Sequence, residues 1–317
     1  MTLRLGVLGC GLIAYWTHLR LIPRLRHARL VAAADPDPRA RERAHQLTKL
    51  PILADPAALL ARPDVDAVVI SAPSHLHAAL AIAAAQAGKH IYLEKPIAID
   101  RPSLAALQSA VRSAGVRCAT GFNRRHHPLF VQARRLLQAN AIGPVRSVFS
   151  SFCEPADPTT MPPWKRQRAT GGGVLLDLGS HHTDLLRWFL ATEVTHAECR
   201  LASHASEHDE AHLQLRFATG ITSSSFFSFR AAQTDFFEFL GESGSLRVDR
   251  HRATLTPRAS SPALLAWRAL RRIRSTYDPS YQSALQAFVD NAPGATLEDG
   301  ARSLEILLSA EDSCASS

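Results

Sequence analysis

The sequence has no run of about 18 apolar residues, the length a membrane-spanning helix requires, so no transmembrane segment is expected in its 317 residues. It lacks paired cysteine spacings as well. Cys10, Cys118, Cys153, Cys199 and Cys314 include no C-x-x-C motif, which argues against a zinc knuckle or a dithiol motif and fits a reducing cytosol. There is no internal repeat. No secretory signal is expected either: Val7-Leu8-Gly9-Cys10 imitates a lipoprotein cleavage site, but too few residues precede Cys10 for a leader of about 15–30 residues. The same apolar run reads better as a first strand and its turn. Acidic residues are short, 28 against 36 Lys and Arg, for a net charge of +8. The excess is scattered arginine, which reads as a solvated basic surface, with no nucleic-acid or membrane partner expected.

What the chain does have is enough apolar residue, 46%, for two cores. Leu3 to Leu8, Arg29 to Ala34, Val65 to Ser71, Lys89 to Glu94 and Val116 to Thr120 read as buried strands. Between them lie helical patterns running to Ile22, then Arg39 to Leu47, His77 to Ala87 closed by Gly88, and Ser103 to Ala114. Strand–helix alternation with short connections predicts a doubly wound parallel sheet. After about residue 120 the character changes. Leu129 to Ala139 and Leu176 to Leu190 read as helices. Ala211, Leu213, Leu215 and Phe217 alternate with His212, Gln214 and Arg216, a half-buried strand, and a hairpin turns at Gly241–Gly244. A last helix is expected over Leu297 to Ala310. Pro257 to Ser280 carries Arg268, Arg271, Arg272 and Arg274 among Leu264, Leu265, Trp267 and Leu270, either a basic helix docking on a partner subunit or a plain surface helix.

Gly9-Cys10-Gly11-Leu12-Ile13-Ala14 has the G-x-G-x-x-A form of the dinucleotide fingerprint. Gly9 suits the tight strand-to-helix turn, Gly11 lets the backbone approach a pyrophosphate, and Ala14 lets the helix pack on the sheet. Leu12 and Ile13 open the helix whose N-terminus would receive the anion. Asp35, at the end of the second strand, is placed to accept hydrogen bonds from ribose hydroxyls. This points to NAD, while the nearby Arg39 leaves NADP open.

Three further segments carry chemistry: Ser71-Ala72-Pro73-Ser74-His75-Leu76-His77, Glu94-Lys95-Pro96, and Gly171-Gly172-Gly173 leading to Asp177-Leu178-Gly179-Ser180-His181-His182-Thr183-Asp184. Asp177 and His181 are four apart, on one face of a helix. An imidazole can take a hydroxyl proton near neutral pH. Lys95 follows a strand end, where open α/β sheets place ligands. Gly179 costs a helix up to about 1 kcal/mol relative to Ala, which close approach of a ligand would account for. His75 and His77 lack a metal-ligand spacing, so they are expected to be structural or cofactor-adjacent, and no metal is expected.

With GFNRRHHP and FLGESGSLRVD added in order, these motifs resemble the Gfo/Idh/MocA family, the group of glucose–fructose oxidoreductase and inositol dehydrogenase, over nearly the whole chain. The resemblance implies a Rossmann domain over residues 1–122. Residues 123–317 would then form an α+β domain with a large, open, mostly antiparallel sheet, through which members assemble as homodimers or homotetramers. It implies that Lys95, Asp177 and His181 are catalytic, and that Ser71, Pro73, His77, Glu94 and Asn123 lie beside the cofactor. Trp164 and Lys165 would close over it, and Arg124, His127 and Asp184 would contact substrate. The expected activity is NAD(P)-dependent hydride transfer at a hydroxyl-bearing carbon of a sugar, polyol or sugar derivative, in the cytoplasm. Two alternatives share the fold: an epimerase or glycosidase that retains NAD through a transient oxidation, and a non-catalytic ligand-sensing regulator.

Overall fold

A computed structural model describes residues 2–259 and 278–315, which divide into two compact units. Of the described residues, 2–123, 169–171 and 281–304 form the first, and 124–168, 172–259, 278–280 and 305–315 form the second. A single cut at 122/123 therefore misses a return of the chain. Helix Ser280–Val289 puts Ala284, Leu285 and Phe288 into the same buried cluster as Leu5, Val7 and Ala33, so hydrophobic burial draws it to the first unit.

In the first unit β1 (Leu3–Leu8), β2 (Ala28–Ala34), β3 (Ile52–Leu53), β4 (Ala67–Ile70), β5 (His90–Leu93) and β6 (Cys118–Thr120) make a parallel sheet. Their spatial order is β3-β2-β1-β4-β5-β6, the doubly wound dinucleotide-binding arrangement. The chain order reverses between β1 and β4, and ligands bind such sheets beyond the carboxyl ends of the strands at that switch point. The central strands read as continuous apolar runs because both faces are covered; all four residues of β4 are buried. Local chemistry sets the helix starts. Asp37 and Asp100 accept backbone N–H bonds at the heads of Pro38–Thr48 and Arg101–Ala114, each with a proline in the first turn.

The second unit is a seven-stranded sheet. β7 (Val145–Cys153), β8 (Val194–Ala202), β9 (Glu210–Phe217), β10 (Thr222–Ser228), β11 (Thr234–Gly241), β12 (Gly244–Asp249) and β13 (Thr254–Ala259) lie in the order β13-β12-β11-β7-β10-β9-β8. All pairs are antiparallel except β7 with β10. Along β9 the alternation expected from the sequence is the observed burial pattern. On the inner face Phe237 meets Phe130 of helix Pro128–Gln138 and Phe189 of helix Ser180–Leu190, edge to face at 5.8 and 5.3 Å. Of the arginine-rich stretch, residues 260–277 lie outside the described residues, and Pro257 belongs to β13.

Candidate functional site

The glycine turn after β1 is built for an anion. Gly9 has φ of 91°, and a Cβ there would sit 2.5 Å from the Ser71 carbonyl oxygen, so only glycine lets β1 close on the end of β4. Gly11 is the opposite case: among the described residues nothing lies within 4 Å of its absent Cβ. That open space adjoins the first turn of the helix, whose N–H groups have no intrahelical acceptor. Leu12 and Ile13 are 69% and 48% exposed there. A pyrophosphate fits this cradle. Gly9→Ala should weaken NADH binding about tenfold, since strain and contact together cost on the order of 1–2 kcal/mol; a fluorescence titration with unchanged affinity would contradict the assignment.

Asp35 is fixed against the same turn, accepting from the Cys10 N–H at 2.6 Å and the Asp37 N–H at 2.8 Å through different oxygens. Each oxygen keeps a second lone pair for a ribose hydroxyl. The guanidinium set at the Asp35 carbonyl, at 3.0 Å, belongs to Arg41. Arg39 uses its backbone N–H to cap the helix on Asp37.

At the neighbouring strand ends His77 is buried, its ring nitrogens 2.7 and 2.8 Å from the carbonyl oxygens of Pro96 and Ala72. It sits between the loop carrying Pro73 and the loop carrying Lys95, its neutral ring donating to one of the two carbonyls at a time. Glu94 is nearly buried and accepts from His18 Nε2 at 3.0 Å. His18 sits fully buried in a π-wound stretch, Ala14–His18, with the Tyr92 and Tyr281 rings edge-on. Sequence reasoning missed His18; its signal is a polar residue four positions after Ala14, on the helix face turned to the sheet. Lys95 is half-buried and Asn123 is buried at the head of a short 3-10 turn.

In the second unit Asp177 and His181 lie where a π-helical stretch, Leu175–Gly179, passes into helix Ser180–Leu190. A π turn holds more residues than an α turn, so a residue four ahead falls just short of a full turn rather than just past it; the two side chains stay on one side. The partner that spacing could not reveal is Lys165, whose Nζ is 2.7 Å from Asp177 Oδ2. The charge of Asp177 raises the Lys165 pKa against the lowering effect of burial. Lys165 and Trp164 share the 3-10 turn Pro163–Arg166. That turn is pressed onto Gly172, where a Cβ would stand 2.3 Å from the Lys165 carbonyl oxygen and 2.8 Å from that of Gln167. Gly179 answers to the sheet instead of to a ligand: its missing Cβ would meet Leu175 at 3.3 Å and the Phe227 ring at 3.4 Å.

Beside His181 runs a buried polar chain. The His182 ring lies between Ser150 Oγ (3.0 Å) and Asp235 Oδ1 (3.2 Å), and Asp235 also receives Arg124 at 2.8 Å and Arg250 at 2.5 Å. Burial works to raise the Asp235 pKa, but Arg124, His182 and Arg250 hold its carboxyl well below the usual range. Arg124 also stacks on Phe152 at 3.9 Å. Asp184 is fully buried and takes a two-pronged bond from Arg125 at 2.9 and 2.6 Å. His127 Nδ1 accepts the Leu129 N–H at the head of Pro128–Gln138. Arg124, Asp184 and His127, expected as substrate contacts, thus each have a bonding role inside the fold.

Burial lowers the pKa of both His77 and His182. Their folded values lie below the ordinary 6.5, so below that pH the unfolded chain binds more protons and stability falls. Each ring contributes a slope of up to about 1.4 kcal/mol per pH unit. Tm should therefore drop between pH 7.5 and 5.5; a flat profile would show that these rings are not held neutral. Among the described residues no group of three or more His, Cys, Asp or Glu is placed to hold a metal.

The strand order, the glycine turn and its acid define a Rossmann dinucleotide-binding protein. Comparison with known proteins agrees. Residues 3–122 match the oxidoreductase-family model with an NAD-binding Rossmann fold, and residues 130–247 match the GFO/IDH/MocA C-terminal domain. A dTDP-3,4-didehydro-2,6-dideoxy-alpha-D-glucose 3-reductase from Actinomadura kijaniata is 32% identical over 255 residues, 78% of this chain and 75% of that protein. A myo-inositol 2-dehydrogenase from Thermotoga maritima is 27% identical over 317 residues, covering 95% of this chain and 93% of that protein. The crystal structure of the WlbA dehydrogenase from Bordetella pertussis, in complex with NADH and UDP-GlcNAcA, superposes with a TM-score of 0.90 at 23% identity, covering 99% and 96% of the two chains. The chain belongs to the Gfo/Idh/MocA family of NAD-binding oxidoreductases.

Proposed function

We propose that the protein is an NAD-dependent dehydrogenase acting on a hydroxyl-bearing carbon of a sugar, cyclic polyol or sugar nucleotide. The observation that carries the reading is the open cradle at Gly11, joined to a family whose related members are named for reactions on inositol and nucleotide-linked sugar. Bound NAD supplies the hydride acceptor, and the protein supplies orientation and charge. In the direction of oxidation a ring nitrogen of His181 takes the hydroxyl proton as general base. Asp177 steadies the resulting imidazolium, and Lys165 keeps Asp177 ionised. Lys95 offers an ammonium to the oxygen that becomes the carbonyl. Trp164, Pro73, Ser71, Glu94 and Asn123 are assigned to the cofactor side; His77, His127 and Asp184 hold the framework.

The test is a panel of sugars, inositols and sugar nucleotides with NAD and NADP, followed by reduced-cofactor fluorescence. The expected result is stoichiometric NADH with one chemical class. Binding of NADH without turnover on any of them would favour the ligand-sensing alternative, and turnover without released NADH would favour a retained-cofactor epimerase or glycosidase. The reading includes a cytoplasmic protein that pairs with copies of itself through the outer sheet face, where Phe149 and Leu240 are 48% and 37% exposed. Light scattering that returns the mass of one chain would remove that part.

A further inference from the structure

The five cysteines look unrelated in sequence, but the fold brings two of them together. Cys199, inside β8, and Cys314, in the last turn of helix Leu297–Ala315, place their sulfurs 3.1 Å apart. They are 115 residues apart in the chain and belong to the same unit. Ser313 caps the contact: its hydroxyl donates to the Ala310 carbonyl at 2.6 Å and accepts from the Cys199 N–H at 3.4 Å. Cys199 is 8% exposed, Cys314 is half-buried, and both line a depression of about 830 Å³ also walled by Leu201, Ser313, Arg200 and His212. A small oxidant can reach the sulfurs there. No comparable sulfur neighbour is found for Cys10, Cys118 or Cys153 among the described residues, where all five are unbridged.

We infer that Cys199 and Cys314 are a reversible thiol–disulfide modification site that staples the end of the C-terminal helix to β8. The chemistry balances with a hydroperoxide as oxidant. The Cys314 sulfur attacks the peroxide oxygen, the O–O bond breaks, and Cys314 becomes a sulfenic acid while an alcohol, or water from hydrogen peroxide, departs. The Cys199 sulfur then attacks the Cys314 sulfur; the S–O bond breaks, and the leaving hydroxide takes the Cys199 proton as water. Two thiols lose two electrons and one peroxide is reduced. The sulfurs must close by roughly 1 Å to reach the bonded separation of about 2.05 Å. Cys314 is the more exposed of the two sulfurs and is the one oxidised first, while burial, together with the bond to Cys314, pushes the Cys199 thiol pKa up.

The experiment treats the full-length native protein with a modest excess of hydrogen peroxide, then denatures it in iodoacetamide and maps the peptides by mass. Three alkylated cysteines are expected in place of five, with a Cys199–Cys314 crosslinked peptide that dithiothreitol abolishes. Because the bond closes a long loop, the oxidised protein should melt about 5 °C or more above the reduced one. Cys314→Ser should keep four alkylatable thiols after peroxide treatment, whereas Cys199→Ser should keep three and carry Cys314 as an unresolved sulfenic acid that dimedone traps. Five remaining thiols, a crosslink joining any other pair, or Cys314 carried to sulfinic acid without a crosslink would overturn the assignment. None of these readouts uses turnover, so they stand or fall separately from the proposed activity.

Discussion

His181→Ala should lower kcat about 10³-fold on the substrate that the panel identifies, and Lys95→Met about 10²- to 10³-fold, while NADH affinity changes little in either. The first figure follows from removing a general base, worth roughly 10²–10⁴. The second follows from removing a charge at an oxygen whose electron density changes during reaction. On the proposed mechanism the two losses should be far less than multiplicative in the double variant. A bell-shaped pH dependence should also lose its acidic limb in His181→Ala, since that limb reports the imidazole that must be neutral to accept a proton. His181→Ala with wild-type turnover would end the assignment of the base. Loss of turnover together with loss of NADH binding would point instead to a damaged fold, so the titration is run on every variant.

Much of this arrangement could be read from the sequence where the governing physics is local. The parallel strands are short apolar runs bounded by Asp, Gly and Pro, and β9 shows period-two burial, so their existence was legible. The fingerprint was legible because Gly9, Gly11 and Asp35 keep fixed chain spacings. Features decided by distant contacts were not. β3 has two residues, too few to carry a period, and helix Ser280–Val289 gives no sign of which core it joins. The π winding at Asp177 leaves no mark in composition. Asp184 belongs to the motif's expected substrate contacts, and its two-pronged bond to Arg125, far away in sequence, leaves no mark in that motif. Cys199 and Cys314 show no pairing in their spacing and meet through the packing of a helix on an edge strand.

The same limit hid the pairing of Lys165 with Asp177, and that pairing can be tested at Lys165 itself and at Gly172. Lys165→Met should reduce kcat about 10- to 100-fold, the range expected when a charge-assisted bond to a partly buried carboxylate is lost. NADH binding should be preserved, and Lys165→Arg should recover most of the rate, because a guanidinium can still pair with Asp177. Without its cation the charge of Asp177 is left uncompensated beside the proposed imidazolium, so the acidic limb of the kcat profile, which reports that imidazole, should move to higher pH; a stability role alone would leave that limb in place. In the wild-type protein the raised Lys165 pKa keeps the ammonium charged through neutral and moderately alkaline pH. The pair therefore contributes fully below the ordinary lysine pKa and is lost only as pH climbs through the raised value. Gly172→Ala should reproduce the Lys165→Met phenotype. Its new Cβ would meet backbone carbonyls at 2.3 and 2.8 Å, which cannot rotate away as a flexible side chain could, so the turn must lift and carry Lys165 off Asp177. If that is the route, adding Gly172→Ala to Lys165→Met costs little further activity. Two multiplicative losses would show that Gly172 acts by some path other than the lysine.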